Sequence, residues 1–363
     1  MGPCGRAQPR PGGRRWHSTA VARPVMIVTV CGAYVNCGDH LIGARARSLL
    51  REHVEQDILV VDRKAITPED YARFNDARAV LLTGGPAYQI GIYPDIYPID
   101  RERVSSRIIP YGLGWKAHLD IQSDAFSFEP QAKAFVQAIH SNIETSSVRD
   151  PLTKTVLAAN GVDNVLMTGC PAWYDLAHFE KTYQFQETPK TLVLSMPPKI
   201  QPDLFDLMAW LSKRFPKTRK IASLHHGFLP TRDKAGFKRA RGFLKFAAAA
   251  GLKGWTMSSL GGNLDKMEAL YAGADMHVGY RVHAHLLCLS QRKASILINE
   301  DSRGEGQAKA LNAPSLNTDK SGDIEHIKAA VEEHFTSKGA NIETSIETMR
   351  ETYPVMKQFL ATI

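Results

Sequence analysis

The sequence of 363 residues lacks the cysteine pattern of a disulfide framework. Its five cysteines, Cys4, Cys31, Cys37, Cys170 and Cys288, are odd in number and form no Cys-x-x-Cys, which also excludes a zinc ribbon. Such usage fits a reducing compartment, so a cytoplasmic protein is expected. Long apolar runs are missing too. Stretches such as Leu286-Leu287-Cys288-Leu289 fall far short of the ~18 residues that span a bilayer, and the basic start has no signal-peptide core. Excess charge is scarce in the body of the chain. The formal net charge is +8, and Arg6, Arg10, Arg14, Arg15 and Arg23 carry five of those charges with no acid nearby. The remainder is balanced, so no nucleic-acid partner is implied, since that reading needs a clustered basic face.

What is present is a globular composition, 44 % hydrophobic and 23 % charged. The length suits two domains of roughly 150–180 residues each. Residues 1–24, rich in Gly, Pro and Arg, read as a disordered extension, or as sequence upstream of a start at Met26. After them a short apolar run, a glycine turn and a helical period recur. The runs are 25–31, 58–61, 79–83, 107–111, 143–148 and 165–168, with helices over 39–53, 130–141 and 151–160. Continuous apolar runs of this kind indicate parallel strands covered on both faces. A polar stretch near 185–190 places the domain boundary there. A second series follows, with strands at 192–196, 220–224, 276–279 and 295–299 and helices at 203–215, 236–250, 265–272 and 283–290. The domains are therefore expected at 25–187 and 188–340, with a closing helix over 341–363. The fold class is α/β, two Rossmann-like doubly wound domains whose ligand lies outside the carboxyl ends of the strands.

The residues after those strands carry the chemistry. Asn36-Cys37-Gly38-Asp39 precedes a helix whose N-terminus attracts anions, and Asp39 suits its cap. Gly84-Gly85-Pro86 and Gly112-Leu113-Gly114 follow two further strands. Arg149, in Ser147-Val148-Arg149-Asp150, reads alone as a surface charge or as an anion clamp, and Asp150 as a helix cap. The densest run is Gly279-Tyr280-Arg281-Val282-His283-Ala284-His285, which sets a fixed cation beside a titratable proton donor at a strand-to-helix turn. His277, His283 and His285 match no common zinc spacing, so no metal is expected. His285 reads as structural, and His225-His226-Gly227 is a weaker cleft candidate.

As an ordered set these motifs resemble the polysaccharide pyruvyl transferase family. The marks are Asn36-x-Gly38-Asp39, Gly84-Gly85, Gly112-x-Gly114, Ser147-x-Arg149-Asp150, Gly169-Cys170-Pro171-Ala172 and Arg281-x-His283-Ala284, across about residues 27–303. The resemblance implies a GT-B-like architecture and transfer of the pyruvyl unit of phosphoenolpyruvate to sugar hydroxyls as a ketal. The donor is a substrate, and no cofactor is implied. Arg303 stands where the family often has lysine. The acceptor would be a glycan or a lipid-linked precursor in exopolysaccharide and cell-envelope synthesis, which also allows peripheral contact with the inner membrane face.

Phosphoenolpyruvate carries a phosphate and a carboxylate, which Arg149 and Arg281 suit as bidentate clamps. Asn36, Gly38, Gly84, Gly85, Gly112, Gly114 and Arg303 complete the expected binding set. Protonating the enol carbon needs a general acid, for which His283 is the candidate. Asp39 either orients the acceptor or caps its helix. Two other readings remain: a nucleotide-sugar glycosyltransferase of the same architecture, and a non-catalytic glycan- or anion-binding protein. Deleting residues 1–24 should leave the melting temperature and solubility unchanged, because that segment has no core pattern to contribute.

Overall fold

The computed structural model describes residues 26–32, 36–54, 56–197, 203–225, 234–317 and 323–363. Residues 1–25, and with them the expected extension and Val25, lie outside the described residues, as do His226 and Gly227. The first half runs β1 (Met26–Cys31), α1 (Cys37–His53), β2 (Asp57–Asp62), α2 (Pro68–Asp76), β3 (Ala79–Thr83), β4 (Arg107–Tyr111), α3 (Pro130–His140), β5 (Ser146–Val148), α4 (Pro151–Ala159) and β6 (Val165–Met167). The second runs β7 (Thr191–Ser195), α5 (Asp203–Arg214), β8 (Arg219–Leu224), α6 (Lys234–Leu252), β9 (Trp255–Ser259), α7 (Leu264–Ala272), β10 (Met276–Gly279), α8 (Val282–Ser290), β11 (Ala294–Asn299), α9 (Ser302–Leu311) and β12 (Ser315–Asn317). Helices α10 (Asp323–Thr336) and α11 (Ala340–Leu360) close the chain.

All strands pair in parallel. The first sheet has the order β2-β1-β3-β4, and the β5-β6 pair extends it through a bridge between Leu113 and Val148. The second has the order β12-β11-β10-β7-β8-β9. Counted from β7, that is the Rossmann order, and its strand order reverses between β7 and β10. In the first sheet the reversal falls between β1 and β3. Because helices cover both faces, central strands are buried throughout. All five residues of β3 and all six of β11 are buried.

Helix α8 is buried over every residue from His283 to Ser290, and it packs on β10 and β11 and reaches α1 of the first half. Its all-round apolar surface, Ala284 and Leu286 to Leu289, follows from that position. Helix α11 returns to the first half, where Arg107 donates to the carbonyl oxygens of Thr362 at 3.1 Å and Ile363 at 2.7 Å. Among the described residues no helix is long and apolar enough to cross a membrane.

Several elements differ from expectation. The strand expected over 143–148 is only Ser146–Val148, because the Asn164 amide takes the carbonyls of His140 and Ile143 at 2.9 and 3.0 Å. Helix α9 was not expected, since Gly304 and Gly306 lower its propensity. Packing overrides that preference: a Cβ on Gly306 would lie 2.7 Å from the Asp150 carboxyl carbon, so the helix needs a bare backbone there.

Strand β10 approaches β7 too closely for a side chain at its end. Gly279 has φ 148°, and a Cβ there would lie 2.4 Å from the Ser195 carbonyl oxygen. Gly279→Ala should therefore cost about 1–3 kcal/mol, since backbone rather than a movable side chain must yield. Urea unfolding measures it, and an unchanged midpoint would refute the close approach.

Candidate active site

Four helices begin at the cleft between the halves: α1, α4, α8 and α9. Each presents unpaired N–H groups and the positive end of its dipole. Asn36 caps α1, its Oδ1 accepting from Gly38 N–H at 3.2 Å. Asp150 caps α4, accepting from Thr153 N–H at 2.8 Å. Asp301 caps α9, accepting from Arg303 N–H at 3.1 Å. Asp39 is not a cap, contrary to one of the two expectations for it. It lies in the first turn of α1, where Arg63, Arg303, Arg149 and His40 act on its carboxylate. Burial nevertheless pushes that carboxyl above its ordinary range.

The halves meet where α8 touches α1. The His283 imidazole lies against Gly38, so closely that a Cβ on Gly38 would fall 2.1 Å from Nδ1. Arg149 uses a second bare position, since a Cβ on Gly114 would fall 1.8 Å from its Nε. Far from being a surface charge, Arg149 is 1 % exposed. Its Nε donates to Asp150 at 3.3 Å, and its carbonyl accepts from Gln307 of α9 at 3.0 Å. Arg303 is held bidentately by Asp301, its Nε donating to Oδ1 at 2.8 Å and its Nη2 to Oδ2 at 2.7 Å. Arg281 is anchored through Nε to the Met196 carbonyl at 2.9 Å, so the fork of its Nη groups is the end a ligand can meet. Among the described residues, Arg149 Nη2 and His283 Nε2 are buried without a hydrogen-bond partner at this place, as His285 Nε2 is in the core. Buried polar atoms are usually paired.

A chain of hydrogen bonds fixes Arg281 from behind. Its N–H donates to Ser195 Oγ at 3.0 Å, which meets His277 Nε2 at 2.8 Å. His277 Nδ1 meets Ser295 Oγ at 2.7 Å, and Ser295 in turn meets His285 Nδ1 at 2.8 Å. His277 and His285 thus belong to the core. His225 joins the halves on the other side: its Nδ1 lies 3.3 Å from Cys37 Sγ and its Nε2 lies 2.9 Å from Tyr271 OH. Burial pushes the Cys37 thiol up to about 11, so it is no nucleophile at neutral pH.

The remaining expected residues divide by role. In each glycine turn the first residue packs and the second lies by a charge. Gly84 rests on Ile42 and Gly112 on Pro171, whereas Gly85 lies near Asp39 and Gly114 against Arg149. Arg63 and Glu300 were missed by sequence reasoning. Both directly follow or nearly follow a strand, β2 and β11, and that position alone was the signal.

Burial pushes the His283 imidazole down to about 3, and Arg149, Arg303 and Arg281 reinforce the shift. Burial also raises Glu300 to about 7, although Arg281 and Arg303 pull the other way.

Two doubly wound parallel sheets about a cleft make this a GT-B fold. It is shared with HepE of Anabaena, solved with UDP and glucose, at TM-score 0.51 and 9 % identity over 93 % of this chain and 100 % of that one. MnaA of S. aureus, solved with UDP, is similar at TM-score 0.50 and 11 % identity over 93 % and 97 %. The chain belongs to the polysaccharide pyruvyl transferase family, whose model matches residues 36–302. No curated protein matches the sequence.

The histidine shift sets a pH dependence of stability. An imidazole near 3 in the folded chain and near 6.5 when unfolded binds fewer protons folded than unfolded between those values. Stability is therefore full above about pH 6.5 and is lost as pH falls toward 3, by up to ~1.4 kcal/mol per pH unit for each such group. His283→Gln should flatten that slope by about one group, measured as unfolding free energy from pH 7 to 4. An unchanged slope would place His283 in water.

Proposed function

We propose that the protein transfers the pyruvyl unit of phosphoenolpyruvate to two hydroxyls of a glycan or lipid-linked sugar, leaving a pyruvate ketal. The observation that carries this reading is the pair of unpartnered buried nitrogens, Arg149 Nη2 and His283 Nε2, in a cleft of arginines and helix N-termini. A compact donor with a phosphate and a carboxylate suits such a place. Arg149 and Arg281 hold its anionic groups, with Arg303 adding charge.

His283 donates the proton to the enol carbon. In the unliganded cleft it is neutral at pH 7, held so by burial and by Arg149, Arg303 and Arg281. The donor's negative charges offset those cations, so donor binding favours the imidazolium when it is needed. Asp39, at the start of α1 beside Gly85, orients the acceptor.

Phosphate release from phosphoenolpyruvate, set against consumption of UDP- or GDP-sugars, tests the donor. Turnover of a nucleotide sugar alone would favour the glycosyltransferase reading, and an unchanged ligand after long incubation a binding protein. His283→Ala should lose ~10²–10⁴-fold in turnover with little loss of donor affinity. His285→Ala should melt earlier, because it breaks a buried bond to Ser295, yet keep most activity per folded molecule. Arg149→Lys and Arg281→Lys should each weaken donor use by about 1–3 kcal/mol, as one bidentate contact is lost. Wild-type donor kinetics in both arginine variants would remove them from the site.

A further inference from the structure

Ketal formation moves more protons than one histidine handles. One proton goes to the enol carbon and one to the departing phosphate, while each of two acceptor hydroxyls gives one up. His283 covers the first pair: it protonates the carbon, and as neutral imidazole it takes the proton of the first hydroxyl. The second pair needs another group that gives and then takes.

We propose that Glu300 is that group, a second acid–base catalytic residue. This rests on the proposed function. Parallel register sets Gly279 of β10 opposite Leu297 of β11. Glu300 is the first residue past β11, and Arg281 lies in the turn that follows the neighbouring β10, so both stand at the carboxyl edge of the sheet. Arg303 follows three residues later in the first turn of α9, turned back by its bidentate bond to Asp301. Glu300 thus stands within reach of two of the site's cations, at the carboxyl edge of the sheet from which the turn into α8 and His283 also leaves. The charged groups acting on it are Arg281 from the β10 side, and Arg303 and Asp301 from its own loop and α9.

Its titration near 7 suits both directions of transfer. A donor anion on Arg281 and Arg303 weakens their hold on the carboxylate and shifts it toward the acid. In that form Glu300 gives its proton to the bridging oxygen as the C2–O bond to phosphate breaks and phosphate leaves with the electron pair. The carboxylate left behind then takes the proton of the second hydroxyl as its oxygen bonds C2. Both residues end as they began, and no oxidant, reductant or metal enters the balance.

Two measurements test the assignment. Isothermal titration of inorganic phosphate at pH 7.5, in two buffers of different ionisation enthalpy, counts protons taken up on anion binding. Glu300→Gln should take up fewer protons than wild type by a measurable fraction of one, whereas His283→Gln should leave that contribution in place. With phosphoenolpyruvate and a panel of methyl hexopyranosides, Glu300→Gln should lower kcat ~10²–10⁴-fold. The donor KM should stay within a few-fold, and the pH-rate limb near 7 should vanish. Equal proton uptake in Glu300→Gln and wild type would overturn the proposal, as would a retained kcat and limb. Phosphate-linked uptake through Glu300 without phosphoenolpyruvate turnover would overturn the donor reading while supporting the titration of Glu300. Normal turnover in a folded Glu300→Gln would overturn only the role of Glu300.

Discussion

Concentrated positive charge held away from water is the constraint on which this cleft depends. The N-termini of α1, α4, α8 and α9 converge there, and Arg149, Arg281 and Arg303 stand among them. Guanidiniums are costly to bury unless their donors are met, and the fold meets the Nε of each internally. Asp150, Asp301 and the Met196 carbonyl each take an Nε, and these bonds fix where each planar fork points. Arg149 Nη2 is a donor that these bonds leave without a partner.

Close approach is the second constraint, and it is solved by omission of side chains. Gly38 admits the His283 ring, Gly114 the Arg149 guanidinium, and Gly306 the Asp150 carboxyl. Each of these glycines sits where one part of the chain presses on another, and two of the three contacts cross from one sheet's half to the other's. The site is therefore assembled by docking. Its charged groups come from β5, α1, α8 and α9, and neither sheet alone carries the set.

Much of this was legible from order and spacing. Apolar runs alternating with glycine turns announced parallel sheets, because a strand covered on both faces has no polar alternation to hide it. The strand-end rule then led to Arg281 and His283, and Arg303 came from family resemblance. The rest was hidden for physical reasons. Arg149 read alone as a surface charge because its burial depends on Gly114, from another strand, and on Gln307, from the other half. Asp39 looked like a cap until Asn36 was found already capping α1. Glu300 and Arg63 are single letters with no motif about them, and α9 is a helix only because its glycines let it dock.

The two crossings between the halves lie side by side. On the outgoing segment, the Lys181 carbonyl accepts from Arg292 at 3.1 Å and from Arg350 of α11 at 2.9 Å. Gly339, where the chain turns back into α11, presses on Tyr183 of that same segment. Two straps joined at one place tie the halves together along a single edge of the molecule, whereas the meeting of His283 with Gly38 is made by docking and not by chain connection.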